Sequence, residues 1–215
     1  MDEDLGPRPS GKNSALVHAW LWAMAVSAQA ARLVTAAGGP GHLPEAFMLI
    51  VALRNVRRAA RMAHSHMRVL QAKEQLAEAL ADFDLALPGI TEARNVVEHF
   101  DEYSIGIGQL QRAQLRDEPS LTPGELADSF AVRFGWTDSD ERRPQLRVGR
   151  HVIEIGRAGD AASLLVDEIW AALKTEEGTP TSRSAAWAIH QAQKNEGLRR
   201  RPHLLRHDDG AEYVQ

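Results

Sequence analysis

The sequence contains no cysteine. That excludes disulfides and any Cys-ligated zinc site, and it suits a cytoplasmic protein. Positive charge is not in excess either. The 25 Lys and Arg face 29 Asp and Glu, for a formal net charge of −4. With no global basic field to attract a polyanion, any nucleic-acid contact has to be local. A long apolar run that could span a membrane is also missing. Residues 15–31 come nearest, with Trp20, Trp22 and Met24, but His18, Ser27 and Gln29 interrupt them. The preceding residues do not make a signal-peptide leader, because Asp2, Glu3 and Asp4 offset Arg8 and Lys12. The segment reads as a buried helix, and no membrane contact is expected. There is no internal repeat and no recognisable serine- or cysteine-nucleophile arrangement. Gly106-x-Gly108 lacks the preceding strand of a dinucleotide fingerprint and reads as a helix end or kink.

What is present is ordinary globular material. A chain of 215 residues, 44% hydrophobic and 25% charged, can bury one core and carry a small appendage and a tail. The opening residues, rich in Gly, Pro and mixed charge, read as a loose arm. Asn13 or Ser14 can cap a helix that Gly38-Gly39-Pro40-Gly41 stops. Pro44 and Glu45 suit the first turn of a second helix. Its apolar start (Phe47, Met48, Ile50, Val51, Leu53) gives way to the basic cluster Arg54, Arg57, Arg58 and Arg61. The third helical stretch, residues 67–87, aligns Val69, Leu70, Leu76, Leu80 and Phe83 before Pro88-Gly89 breaks it. A fourth, long helix starts near Thr91 and carries the stripe Ala93, Val97, Phe100, Ser104 and Ile107 towards the core. Four such helices predict an up-and-down bundle.

After Pro119 the texture changes. Residues 130–134 alternate like a strand, and 146–148 and 152–155 flank a two-residue turn, Gly149-Arg150. A small antiparallel sheet is expected there. Asp160 can cap a last helix that turns Leu164, Leu165, Ile169 and Leu173 inward. Beyond residue 174 the chain is polar, with a short helix suggested near 184–195 and the basic run Arg199-Arg200-Arg201. The five Trp are dispersed and read mostly as core anchors. The fold class is therefore mainly α, a helical bundle with a small antiparallel hairpin or sheet and a further C-terminal helix.

The chemistry concentrates in Arg94-Asn95-Val96-Val97-Glu98-His99. Histidine trades protons near neutrality, and arginine offers a planar fork of donors that fits phosphate oxygens and keeps its charge. Asn95 and His99, four apart, share a helical ridge, so the amide can orient the imidazole or touch a phosphate. Arg94 and His99, five apart, diverge by about 140° on a straight helix. Looser Arg-to-His spacings recur at Arg58 to His64, Arg61 to His66, and Arg200 or Arg201 to His207. The Asn directly after Arg94 and the helical setting set the first apart.

Here the sequence resembles the HEPN superfamily, many of whose members are metal-independent ribonucleases carrying Arg-x(4–6)-His with Asn, Asp or His after the Arg. The resemblance covers about residues 14–112. It implies a homodimer in which two motif pairs meet in one cleft, catalytic roles for Arg94, Asn95 and His99, no cofactor or metal, and products ending in a 2′,3′-cyclic phosphate. It also implies a cytoplasmic toxin or a stress or phage-defence effector, with an antitoxin or regulatory protein as a further partner. On this reading residues 1–13 are the arm, 14–174 the helical domain with a strand-rich elaboration at 129–156, and 175–215 the tail.

Plainer readings stand beside it. Arg94 can pair with Glu98 at i,i+4 on the surface. His99 can be a boundary side chain between Val96 and Tyr103, and Asn95 can serve local hydrogen bonding. Glu98, Asp101 and Glu102 would repel an RNA backbone unless Arg54, Arg57, Arg58 or Arg61 lies opposite. Those four arginines are the local candidates for holding RNA, or else a solvated helix face. His64-x-His66 would diverge by about 200° on a helix and does not read as a metal site. The alternative function is a non-catalytic helical dimer that binds protein or nucleic acid through the same groove.

Overall fold

The structure, a computed structural model, describes residues 11–36, 42–137 and 142–178. Within them the chain is mainly helical, with one small antiparallel sheet and a long final helix. Residues 1–10 of the expected arm, the Gly38-Gly39-Pro40-Gly41 break, and the tail from residue 179 with its short helix and arginine run lie outside the described residues.

Helices α1 (Gly11–Thr35) and α2 (His42–His66) form the most extensive helix pair, and α8 (Ile155–Glu176) packs on both. Their buried positions are rich in alanine: Ala15 and Ala19 of α1, Ala46, Ala52 and Ala60 of α2, Ala158, Ala162 and Ala172 of α8. Alanine gives up no rotamer freedom on burial and lets helix backbones approach closely. Leu33, Leu49, Ile50, Leu53, Leu165 and Ile169 fill the remaining space. Among the described residues tryptophan is not fully buried in this core. Trp20 is 48% exposed, and among the described residues Trp22, Trp136 and Trp170 are also incompletely buried. Nor is α1 buried all round, since Val17, Leu21 and Met24 face outward with Trp20. Alanine at the contact leaves too little depth for the larger rings, so they stay at the edge.

Helix α3 (Leu70–Ala86) buries Leu76 and Phe83, whereas Val69 and Leu70 at its start are exposed. Its cap residue, Val69, offers no side-chain acceptor. Glu176, at the far end of α8, takes that role. Its carboxylate accepts from the backbone N–H of Val69 at 2.8 Å and of Arg68 at 3.0 Å, and from Lys12 Nζ at 3.3 Å. A negative charge on these orphan donors also meets the positive end of the helix dipole. The Val69 N–H is the main cause holding the Glu176 carboxyl below its ordinary range, with Arg68 and Lys12 adding to it against the opposing effect of burial.

Pro88-Gly89 ends α3, and Gly89, at φ +82°, starts α4 (Ile90–Glu98) in a conformation that glycine tolerates best. The expected long fourth helix does not continue. It breaks at His99 (φ −113°, ψ 37°) and resumes as α5 (Phe100–Ser104). The inward stripe changes accordingly. Ala93, Val96 and Tyr103 are buried, Val97 is partly so, Ser104 and Ile107 are exposed, and Phe100 is 62% exposed. Tyr103 explains the shift. Its ring lies 5.4 Å from that of Phe130, and its hydroxyl accepts from Leu110 N at 3.2 Å.

Helices α6 (Gln109–Asp117) and α7 (Pro123–Phe130) are joined to α5 by the fully buried Gln111. Its amide donates to the carbonyls of Tyr103 and Leu126, both at 2.9 Å, and accepts from Gly108 N at 2.7 Å. Thr122 and Glu125 form a reciprocal capping box at the start of α7, with Pro123 at its first turn.

The sheet runs β1 (Arg133–Trp136), β2 (Pro144–Val148), β3 (His151–Glu154) in that spatial order. The first strand thus starts later than the alternation at 130–134 suggests, because Phe130 closes α7. Gly149, at φ +58°, makes the tight turn between β2 and β3, with Val148 opposite His151. Leu146, Val148 and Ile153 are buried, and β2 and β3 pack on α8. That helix begins at Ile155, so Asp160 lies inside it rather than capping it. Buried Ile155 and Ala158 hold the extra turn down. Leu165, Ile169 and Leu173 point inward, but Leu164 is exposed. Among the described residues no helix is long and apolar enough to cross a membrane.

The Glu176 clamp has a pH signature. A carboxyl whose folded pKa is depressed stabilises fully above the ordinary carboxylate range and loses that contribution as pH falls through the folded value. Glu176→Gln is expected to lower the Tm near neutral pH. The gap to the parent should close between about pH 4 and lower values. Thermal unfolding by circular dichroism across that range checks it, and a gap independent of pH would contradict the role.

Candidate functional site

Helix α4 lies against α2, and between them is an open cleft of about 570 Å³ lined by Val51, Arg54, Asn55, Arg58, Arg94 and Glu98. Arg54 and Arg58, one helical turn apart on α2, share a face, and α4 brings the motif arginine up beside them.

The four arginines of α2 have different surroundings. Arg57 is committed: Nε and Nη2 donate to the two carboxylate oxygens of Asp84 on α3, both at 2.5 Å. That fork, followed by the attraction of Asp84 and Glu92, raises its pKa above the ordinary value, with burial opposing. Arg61 is exposed and does not line the cleft. Arg58 is exposed at the cleft. Arg54 is the unusual one. Its Nε and Nη1 are buried and make no hydrogen bond among the described residues. Burial is the first cause lowering its pKa, and repulsion from Arg57, Arg94, Arg61 and Arg58 lowers it further.

Arg94 forms an ion pair with Glu98 one turn along α4, and its Nη1 donates to Asn95 Oδ1 at 3.4 Å. The motif is therefore internally connected, and it includes the plainer pairing open to Arg94. His99 stands outside the cleft lining. It is exposed, ends α4 by donating its backbone N–H to the Asn95 carbonyl at 3.0 Å, and accepts from Tyr103 N at 3.1 Å. The structure thus brings Arg94 together with Arg54 and Arg58, keeps Asn95 beside Arg94, and leaves His99 at the helix break.

Two features escaped the sequence. One is Asp84, whose pairing across 27 residues takes Arg57 out of the free cluster. The other is His151 at the start of β3, which borders a separate cavity of about 510 Å³ with Glu92, Asp117, Glu118 and Phe130. Burial is the main cause lowering its pKa, with Arg150 adding and Glu92 opposing. Among the described residues no group of three or more His, Asp or Glu is placed to hold a metal ion; His64 is half-buried and His66 exposed.

The Glu98 carboxylate competes with any anion for Arg94. Glu98→Gln should leave the cleft more positive, so the protein should leave a heparin column at higher salt than the parent. Elution at unchanged salt would mean that Arg94 does not reach an anion bound in the cleft.

No protein-family model, no curated protein and no solved structure matches this chain.

Proposed function

We propose that the chain is a metal-independent endoribonuclease of HEPN type, acting as a homodimer. Arg94 holds the scissile phosphate, Asn95 assists it, and His99 transfers protons. The observation that carries this reading is the company Arg94 keeps: it opens onto the same cleft as Arg54 and Arg58. The opposing arginines offset Glu98, the one acidic residue of the cleft lining, as an RNA backbone requires.

The reaction needs little from the protein beyond charge and proton transfer. One imidazole accepts the 2′-OH proton as O2′ bonds to phosphorus. The bond from phosphorus to O5′ breaks, and a second imidazole, already protonated, gives its proton to O5′. The products are a 2′,3′-cyclic phosphate and a 5′-hydroxyl. Two copies packed about a twofold axis would supply both imidazoles and would relieve the divergence of Arg94 and His99 within one chain. The cleft arginines would stabilise the dianion that develops at phosphorus. A cytoplasmic toxin or phage-defence effector, held in check by an antitoxin or regulatory protein, is the setting that goes with this activity.

A second reading is favoured by the Arg94–Glu98 pair and by the position of His99 outside the cleft lining. On it the protein is a helical dimer that binds protein or nucleic acid without cleaving. The two readings part at His99→Ala. For the nuclease, the purified wild type cleaves structured RNA in EDTA, and the substitution removes cleavage by at least about 100-fold while circular dichroism and solution mass stay unchanged. A well-folded wild type that cleaves no RNA class leaves the binding reading standing.

A further inference from the structure

We infer that the Arg54–Arg58 side of the cleft is a binding site for a phosphate dianion, the group carried at a phosphorylated RNA end. That the phosphate belongs to RNA rests on the nuclease reading; that the cleft takes a dianion does not.

The inference begins with Arg54. A guanidinium in water meets acceptors on all its donors, and burying two of them without a replacement is unfavourable unless something else supplies one. Here Nε and Nη1 are both buried and unmatched among the described residues. Nε and Nη1 lie on different edges of the guanidinium and are closed off from the cleft, so an anion there meets Arg54 through Nη2, which is not among its buried donors, and through its charge. Its charged neighbours Arg57, Arg58, Arg61 and Arg94 are all of its own sign. An arrangement that repels itself this way in the free protein is relaxed by an anion.

Charge then selects the kind of anion. Arg57 is neutralised by Asp84, and Arg94 by Glu98. Two positive charges on the cleft wall stay uncompensated, those of Arg54 and Arg58, and neither side chain makes an ion pair among the described residues. A carboxylate or an internal phosphodiester brings one negative charge and cancels half of this. A terminal phosphate brings close to two near neutral pH, on three acceptor oxygens. The cleft, at about 570 Å³, is larger than a phosphate alone requires, which leaves room for the attached nucleoside. The Asn55 amide on the same wall can donate to it or accept from it.

The test uses the full chain and short 2′-O-methyl RNA of one sequence, which lacks the attacking hydroxyl and so cannot be cut by the proposed route. The ends are 5′-phosphate, 3′-phosphate or hydroxyl, and the Kd is read by fluorescence anisotropy. A phosphorylated end is expected to bind about tenfold tighter near pH 8, with the advantage shrinking as pH falls through about 6 and the phosphate loses its second charge. Arg54→Met and Arg58→Gln should each abolish most of that advantage. Arg58 is exposed, so its variant remains informative if Arg54→Met fails to fold, which thermal unfolding reveals. Equal Kd values for all ends, or a preference that Arg58→Gln retains in full, would overturn the inference. Ribose 5-phosphate competing as well as phosphorylated RNA would overturn the assignment to an RNA end. If natural RNA is not cut while the end preference persists, the nuclease reading fails alone. If cleavage persists without the preference, this inference fails alone.

Discussion

Helix α2 has to satisfy two opposed demands. Nine of its residues are buried against its neighbours, while its outer side carries four arginines close enough to repel one another. The apolar side is fixed by contact with α1, α3, α4 and α8, so α2 cannot rotate to spread those charges apart. The strain is instead relieved one residue at a time. Asp84 takes Arg57, Glu98 takes the approaching Arg94, solvent takes Arg58 and Arg61, and Arg54 is left with buried donors and no acceptor.

Much of the scaffold could be read in the residues because local signals agreed with tertiary packing. Pro88-Gly89 stops a helix wherever it is placed, and Gly149 supplies the positive φ that a two-residue hairpin turn needs. The misreadings came where a distant residue decided. Nothing within 99–104 announces a break at His99. The helix yields because Tyr103 is held by Phe130 and Leu110, and its carbonyl by Gln111, all contributed by the segment after it. Asp160 looked like a cap because aspartate often is one, yet the buried pair Ile155 and Ala158 carried the helix back past it. The tryptophans looked like core residues by size, yet the four among the described residues stay at its edge, where alanine-to-alanine packing leaves too little depth for them.

The site divides along the same line. That Arg94 is a candidate, and that Arg54, Arg57, Arg58 and Arg61 form a local basic cluster, follows from sequence spacing. Which of those four is free does not. Spacing treats Arg54 and Arg57 as alike, while the fold gives one a bidentate carboxylate and the other none. Only the approach of α4 to α2 makes one cleft of two separate motifs.

The junction at Glu176 sets a boundary for any shortened version of this chain. One side chain there joins the opening turn of the first helix to the head of the third, from the last residue of the eighth. Removing residues after 178 spares that junction; removing three more would unfasten two helix ends that lie more than 100 positions upstream. Among the described residues, the end of α8 is therefore tied to the rest of the chain by a single acidic side chain.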